Sequence, residues 1–350
     1  MQHESWFQLI KSELIKKDTN FHSKKILWIA DENFDLSTDE ITALPSSTVM
    51  LTNRIDVAQR ITSANKTAIF NDFEPMSTTF DYIIYLVSKE RVLANYCINL
   101  AVSHLSANGQ LLLGGKKQHG IKTYFSGAIK LLGGQGRLKK LDDRYMAFLS
   151  FPEKPPDRLD GADYHRIQFI SECFNYQLFS KPGVYGWQKI DEGSELLASC
   201  VMEQMQYETN RSGAVLDLGC GSGYLTLLAA SLGFVDITAT DNNAAALAAI
   251  NYTCEINQLA IKIVAGDCGQ DINRSFDLII CNPPFHQGYE HKRDLIDKFL
   301  AAAKKLLAPN GKAFFVVNAF IPIESSAKQY FSSIIILAHN KQFKVAMLTV

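Results

Sequence analysis

No stretch of this chain approaches the run of about 18 apolar residues that a membrane-spanning helix requires, so no span is expected. Cysteine is sparse: seven residues, scattered, odd in number, none in a Cys-x-x-Cys pair. That excludes a disulfide framework or a zinc ribbon as the organising device and suits a reducing cytoplasm. The first residues, Met1-Gln2-His3-Glu4-Ser5-Trp6, lack a basic region followed by an apolar core. No secretory signal is therefore expected, and the expected location is cytoplasmic. Neither sign of charge dominates. A formal net charge of −1 excludes a protein that is basic overall. What remains, 47% apolar and 20% charged residues over 350 positions, is a globular composition long enough for two domains.

Strand and helix signals alternate along the first half. Residues 1–22 have helical spacing through Trp6, Leu9, Ile10 and Leu14. Strands are predicted at 24–30, 48–52, 67–70, 80–86 and 110–114, with helices near 55–63 and 89–105 and a turn at Ala107-Asn108-Gly109. The second half repeats this order, with strands at 214–218, 236–241, 261–265, 276–281 and 312–317, and helices running to Asn251 and over 294–307. A turn at 308–311 precedes the fifth of these strands, and Phe343 to Leu348 suits a last antiparallel strand. Such alternation implies a mostly parallel sheet covered on both faces.

Two landmarks align between the halves. Phe80-Asp81-Tyr82-Ile83-Ile84 echoes Phe276-Asp277-Leu278-Ile279-Ile280, and Ala107-Asn108-Gly109-Gln110 echoes Pro309-Asn310-Gly311-Lys312. The expectation is a duplicated α/β domain. Its parts are residues 1–150, a linker with a connecting strand at 151–175, and residues 176–350. The proline-rich Phe151-Pro152-Glu153-Lys154-Pro155-Pro156-Asp157 marks the linker.

The copies differ at two places where chemistry would sit. After its first strand the second half has Gly219-Cys220-Gly221-Ser222-Gly223; the first has the glycine-free Asp31-Glu32-Asn33-Phe34-Asp35. After its fourth strand the second half has Asn282-Pro283-Pro284-Phe285-His286; the first continues Leu86-Val87-Ser88-Lys89. A glycine loop between strand and helix lets a ligand approach the backbone, and alone it also suits a dinucleotide site. Asp217 inside the strand can meet a cationic ligand group, and Asp241 at the next strand end can accept ribose hydroxyls. Asp267 and Cys268 end the third strand, in position for an adenine amino group. A nucleoside with a positive amino-acid tail fits these better than a dinucleotide does. Asn-Pro-Pro-Phe alone describes a proline-rich turn after a core strand. It also leaves a side-chain amide and main-chain carbonyls without neighbouring N–H groups, beside an aromatic ring, which is a setting for an exocyclic amine. For His286, proton removal and packing beside the base are both open; a lone histidine is more often structural, so it is not counted as catalytic.

The whole order resembles the class I S-adenosylmethionine-dependent methyltransferases. The resemblance covers roughly residues 176–350, and Asn282-Pro283-Pro284-Phe285 resembles their exocyclic-amine members. A degenerate N-terminal copy, the Asn-Pro-Pro-Phe-His run and Val317-Asn318-Ala319-Phe320-Ile321-Pro322 together resemble the ribosomal RNA small subunit methyltransferase C family. Lys181 to Ser194 resembles that family's loop at the methionine end of the cofactor, with Tyr185 where Phe is expected. The resemblance implies two tandem Rossmann-like methyltransferase domains, the N-terminal one degenerate. It implies S-adenosylmethionine as cofactor and N2 of a guanine in 16S rRNA, within the small ribosomal subunit, as target. Implied cofactor residues are Tyr185, Asp217, Gly219, Gly221, Gly223, Asp241, Asp267, Cys268 and Asn282; implied catalytic residues are Asn282, Pro283 and Phe285. No metal is implied, and the chain is expected to act as a monomer. The alternatives are a large-subunit rRNA guanine-N2 methyltransferase, a protein glutamine methyltransferase and a non-catalytic RNA-binding or chaperoning protein.

One basic run stands out. Lys116, Lys117, Lys122, Lys130, Arg137, Lys139, Lys140 and Arg144 face only Asp142 and Asp143. It is expected to contact rRNA phosphates, and a solvated face is the plain alternative.

Overall fold

Why the strands of each half read as near-continuous apolar runs becomes clear once they are paired. A computed structural model of the chain describes residues 5–17, 20–153, 155–206, 208, 211–284 and 289–350. It divides into two compact units, Met1–His165 and Arg166–Val350.

The first unit runs α1 (Trp6–Lys17), β1 (Ile26–Ala30), α2 (Thr38–Thr42), β2 (Thr48–Thr52), α3 (Ile55–Ser63), β3 (Thr67–Phe70), β4 (Phe80–Leu86), α4 (Arg91–Ser103), β5 (Leu105–Lys116), α5 (Ile121–Lys130), β6 (Gln135–Leu141) and β7 (Arg144–Ser150). The second runs β8 (Gln168–Cys173), β9 (Tyr176–Ser180), α6 (Glu192–Met205), β10 (Val215–Leu218), α7 (Tyr224–Ser231), β11 (Ile237–Asp241), α8 (Ala244–Ile256), β12 (Lys262–Ala265), β13 (Phe276–Cys281), α9 (Tyr289–Leu306), β14 (Leu307–Asn318), α10 (Ile323–Ala327), β15 (Ser333–His339) and β16 (Phe343–Thr349).

The two sheets have one order, β3-β2-β1-β4-β5-β7-β6 and β12-β11-β10-β13-β14-β16-β15. In each sheet the first five strands of this order pair in parallel and the last two pairings, β5–β7 and β7–β6 or β14–β16 and β16–β15, are antiparallel. The expected duplication of a Rossmann-like α/β fold is the observed one. Both faces are covered. On β13, Leu278 and Ile280 pack with Leu225 and Leu228 of α7, while Ile279 and Cys281 pack with Leu300 and Ala303 of α9. Each fully buried side chain of this size contributes about 1.5–3 kcal/mol, so strands buried on both faces favour unbroken apolar sequence.

The echoes between the halves have structural causes. The Asp81 carboxylate accepts the Lys25 N–H at 2.9 Å, and the Asp277 carboxylate accepts the Ala214 N–H at 2.8 Å. Each pins the start of its first strand to the fourth. The Asn-Gly echo marks a bulge rather than a turn before a strand. Between Phe80 and Tyr82 the partner in β5 moves from Leu105 to Gln110, and between Phe276 and Leu278 the partner in β14 moves from Leu307 to Lys312. Asn108 and Asn310 take the left-handed conformation there, with φ of 65° and 66°, which Asn tolerates better than most residues.

Other expectations shift. Helix α1 is described over Trp6–Lys17, and Phe21–Ser23 form a 3-10 turn. The basic run, read only as charge, spans the end of β5, a 3-10 turn at Lys117–His119, α5 and the hairpin β6–β7. The stretch expected as linker is shared between the units. Up to His165 it packs on the first: Leu159 and Tyr164 are buried, Asn99 exchanges hydrogen bonds of 2.8 and 3.0 Å with the Leu159 backbone, and the Tyr164 hydroxyl donates to Asp72 at 2.6 Å. From β8 it belongs to the second, where β8 and β9 form a hairpin and β9 lies along α8. Among the described residues no helix is long and apolar enough to cross a membrane.

Candidate active site

In each sheet the strand order reverses between the first and fourth strands, and open α/β sheets bind ligands outside the carboxyl ends at such a point. In the second unit that point lies between the ends of β10 and β13, at Gly219 and Asn282.

Gly219, Gly221 and Gly223 all have positive φ, 82°, 54° and 97°. Gly221 is the informative one. A Cβ there would meet nothing within 4 Å, so its backbone faces open space that a ligand can enter. Gly223 starts α7, and a Cβ there would come within 2.8 Å of Ile250. The loop is tied to the next strand, because the Asp241 carboxylate accepts the N–H of Gly221 and of Asn243, each at 2.9 Å. Asp241 therefore shapes the loop as well as standing beside it.

Asp217 is fully buried. One carboxylate oxygen accepts the Thr226 hydroxyl at 2.6 Å, and the other has no hydrogen-bond partner among the described residues. Burial pushes its carboxyl up to about 7, against the lowering effect of Thr226, and the Asp241 carboxylate adds to the rise. An orphaned buried oxygen of this kind is what a cationic group close by would satisfy. Asp267 is engaged: its carboxylate pairs with Lys298 of α9. Cys268 follows with φ of 51°, turning the chain away from β12.

The segment 181–194 closes on α8. Val184 is buried against Ala245, Ala246 and Ala249, whose small side chains let the loop lie close. Asn243 caps α8 through its oxygen and donates its amide N–H to the Gly183 carbonyl at 2.8 Å. Tyr185 is 63% exposed. Partial burial, then the Asp191 carboxylate, raises its phenol above the ordinary value, so Tyr185 and Asp191 share this edge.

At the end of β13, Asn282 uses its amide nitrogen fully. Nδ2 donates to the Asp191 carboxylate at 2.9 Å and to the Ser194 hydroxyl at 2.7 Å. Its Oδ1 is left as an acceptor. Pro283 follows, buried, and Pro284 is exposed. Phe285 and His286 lie outside the described residues. Asp191, Ser194, Asn243 and Thr226 were not singled out from sequence. Asp191 and Ser194 at N-cap spacing were the available signal, but they say nothing of a residue 91 and 88 positions away. Among the described residues no group of three His, Cys, Asp or Glu side chains is placed to hold a metal.

The first unit has closed the equivalent crevice with its own side chains. Asp31 is buried and accepts the Tyr85 hydroxyl at 3.0 Å and the Asn33 N–H at 2.9 Å, Asn33 donates to the Val87 carbonyl, and Ser88 bonds Glu32. Burial and then the Glu32 charge hold the Asp31 carboxyl well above the usual range.

Comparison with known proteins is consistent with this layout. Residues 175–347 match the methyltransferase small domain, and residues 12–146 match the methyltransferase small domain N-terminal family. The ribosomal RNA small subunit methyltransferase C of Haemophilus influenzae is 27% identical over 96% of this chain and 98% of its own. That of Shewanella pealeana is 30% identical over 82% of each. The T. thermophilus 16S rRNA N2 G1207 methyltransferase, solved with AdoMet and guanosine, superposes with a TM-score of 0.80 at 24% identity, over 92% of this chain and 87% of that one. At that identity the likeness speaks to the fold.

The raised Asp217 carboxyl gives a signed expectation. The folded chain keeps this proton to about pH 7, whereas the unfolded chain releases it near the ordinary value of about 4. The folded state binds more protons in that window, so the Asp217 contribution to stability falls as pH rises from about 4 to about 7 and is level above. Asp217→Asn, which keeps an acceptor for Thr226, should flatten this part of the profile. Urea unfolding of both proteins at pH 5, 6, 7 and 8 checks it; parallel profiles would contradict the assignment.

Proposed function

This chain belongs to the ribosomal RNA small subunit methyltransferase C family, and from that premise we propose that it transfers a methyl group from S-adenosylmethionine to the exocyclic N2 of a guanine in 16S rRNA. The observation that carries this reading is the state of Asn282. With both amide hydrogens occupied, the side chain offers only an acceptor, which suits a substrate group that brings hydrogens, as an amine does.

The N2 lone pair of guanine is delocalised into the ring, so the amine is a poor nucleophile. Asn282 Oδ1 and the Pro283 carbonyl accept its two hydrogens. That favours a pyramidal nitrogen, aims its lone pair and holds the positive charge that develops as the N–C bond forms and the methyl–sulfur bond breaks, its electron pair staying on the departing thioether. No covalent nucleophile is needed, and the methylated nitrogen loses its extra proton to water. Phe285 stacks on the base, which leaves any helical stack to enter the site.

The bound cofactor supplies an electrophilic sulfonium methyl group. The residues present fit it: open space before Gly221, the orphaned Asp217 oxygen towards its cationic end, and the 181–190 loop with the exposed Tyr185. Asp241 takes the ribose hydroxyls. Asp267 and Cys268 border the adenine, with one Asp267 oxygen already turned to Lys298.

The first unit is read as the docking unit, in a chain that acts as a monomer. The basic run narrows here. Lys116 pairs with Asp143 at 3.4 Å and Lys139 with Glu13 at 3.2 Å, Lys122 lies over the Tyr145 ring, and Arg144 is buried over Trp6. Lys117, Lys130, Arg137 and Lys140 are exposed and have no ion pair among the described residues, and these four are assigned to rRNA phosphates. Two of them sit on the edge strand β6, where charge also discourages strand addition, so the plain structural reading competes at those positions.

Labelled methyl transfer to isolated small subunits, large subunits and naked rRNA, followed by nucleoside analysis, tests the function. N2-methylguanosine in 16S rRNA is the expected product; label in large-subunit RNA or in protein would contradict it. Reversing charge at Lys117, Lys130, Arg137 and Lys140 should weaken rRNA binding and flatten its salt dependence. Unchanged affinity and salt slope would leave the first unit a structural support.

A further inference from the structure

We infer that Asp191 is a positioning residue for methyl transfer: its carboxylate, with the Ser194 hydroxyl, locks the Asn282 amide so that Oδ1 faces the reacting amine, and its charge strengthens that oxygen as an acceptor. This rests on the reading that an amine is methylated at Asn282.

The lock follows from the donor inventory. An Asn amide has two N–H donors and one carbonyl oxygen, and a carboxylate only accepts. Asp191 Oδ2 lies 2.9 Å from the Asn282 amide and Ser194 Oγ lies 2.7 Å from it. Turning the amide over would set two oxygens against each other at the Asp191 contact. The Asn282 orientation is therefore enforced by charge rather than by shape alone.

Asp191 is itself held. It is the N-cap of α6, and the same Oδ2 accepts the Ser194 N–H at 2.9 Å. The residue between them leaves it room: a Cβ at Gly193 would sit 2.9 Å from that oxygen and 3.1 Å from the Phe343 ring. One carboxylate oxygen thus joins a helix start to a residue 91 positions away. Capping alone does not require a charge, since Asn caps as well as Asp. The charge acts through the amide. An anion at the N–H end favours the resonance form with negative charge on Oδ1, where the hydrogens of an amine turning positive must be held.

Asp191→Asn separates these roles, because it keeps cap and shape and removes the charge. Under excess enzyme on small subunits, its methyl-transfer rate should fall about tenfold, and that of Asp191→Ala roughly 10- to 100-fold, the range of one charge-assisted hydrogen bond. S-adenosylmethionine affinity by calorimetry should stay within about twofold and the melting temperature of Asp191→Asn close to wild type, since a cap is preserved. The decisive readout is the double-mutant cycle: in an Asn282→Ala background, Asp191→Asn should cost nothing further. A loss repeated in full in that background, a wild-type rate for Asp191→Asn, or a loss confined to cofactor affinity would overturn the inference. Failure of the proposed function looks different, because the wild type itself would then not methylate 16S rRNA.

Discussion

Two hydrogen bonds from one side-chain amide organise this site. By holding both N–H groups of Asn282, Asp191 and Ser194 leave a single acceptor at the carboxyl end of β13. The arrangement depends on two long-range placements. β13 must be buried on both faces and paired on both sides, so that Asn282 emerges at a defined height beside the end of β10. α6 must begin where its cap can reach across, which Gly193 permits. A change of one residue in the β13 register would turn Asn282 to the other face of the sheet.

The two units show what duplication retained and what it released. Strand order, the Asp81 and Asp277 clamps and the Asn108 and Asn310 bulges persist, because they hold the sheet together. The carboxyl ends diverged, because fold stability does not require an open crevice there. In the first unit a buried carboxylate, Asp31, is satisfied internally by Tyr85 and Asn33. In the second, Asp217 keeps an unsatisfied oxygen, and Gly221 faces space. A buried polar atom without a partner costs about 1–3 kcal/mol. Such a cost is common at functional sites, where the ligand is the missing partner.

Much of this was legible beforehand. Parallel strands buried on both faces leave strong apolar runs, so β1, β2, β4, β10, β11 and β13 could be read close to their limits, and the repeat of Phe-Asp and Asn-Gly landmarks exposed the duplication. Strand β6 was not read, because an edge strand rich in Lys and Arg has little apolar alternation and looks like a solvated charge run. The stretch before His165 looked like free linker because its anchors, Tyr164 on Asp72 and Leu159 on Asn99, join residues far apart in sequence. Asp191 escaped for the same reason. Its neighbours spell out a helix cap, whereas its second partner is visible only after folding.

The most direct measurement is a structure of this chain with S-adenosylhomocysteine and guanosine. The account predicts guanine N2 within about 3 Å of both Asn282 Oδ1 and the Pro283 carbonyl oxygen, with the two Asn282 N–H groups still on Asp191 and Ser194. A guanine whose N2 points away from Asn282, or an Asn282 amide turned to offer an N–H to the base, would contradict it.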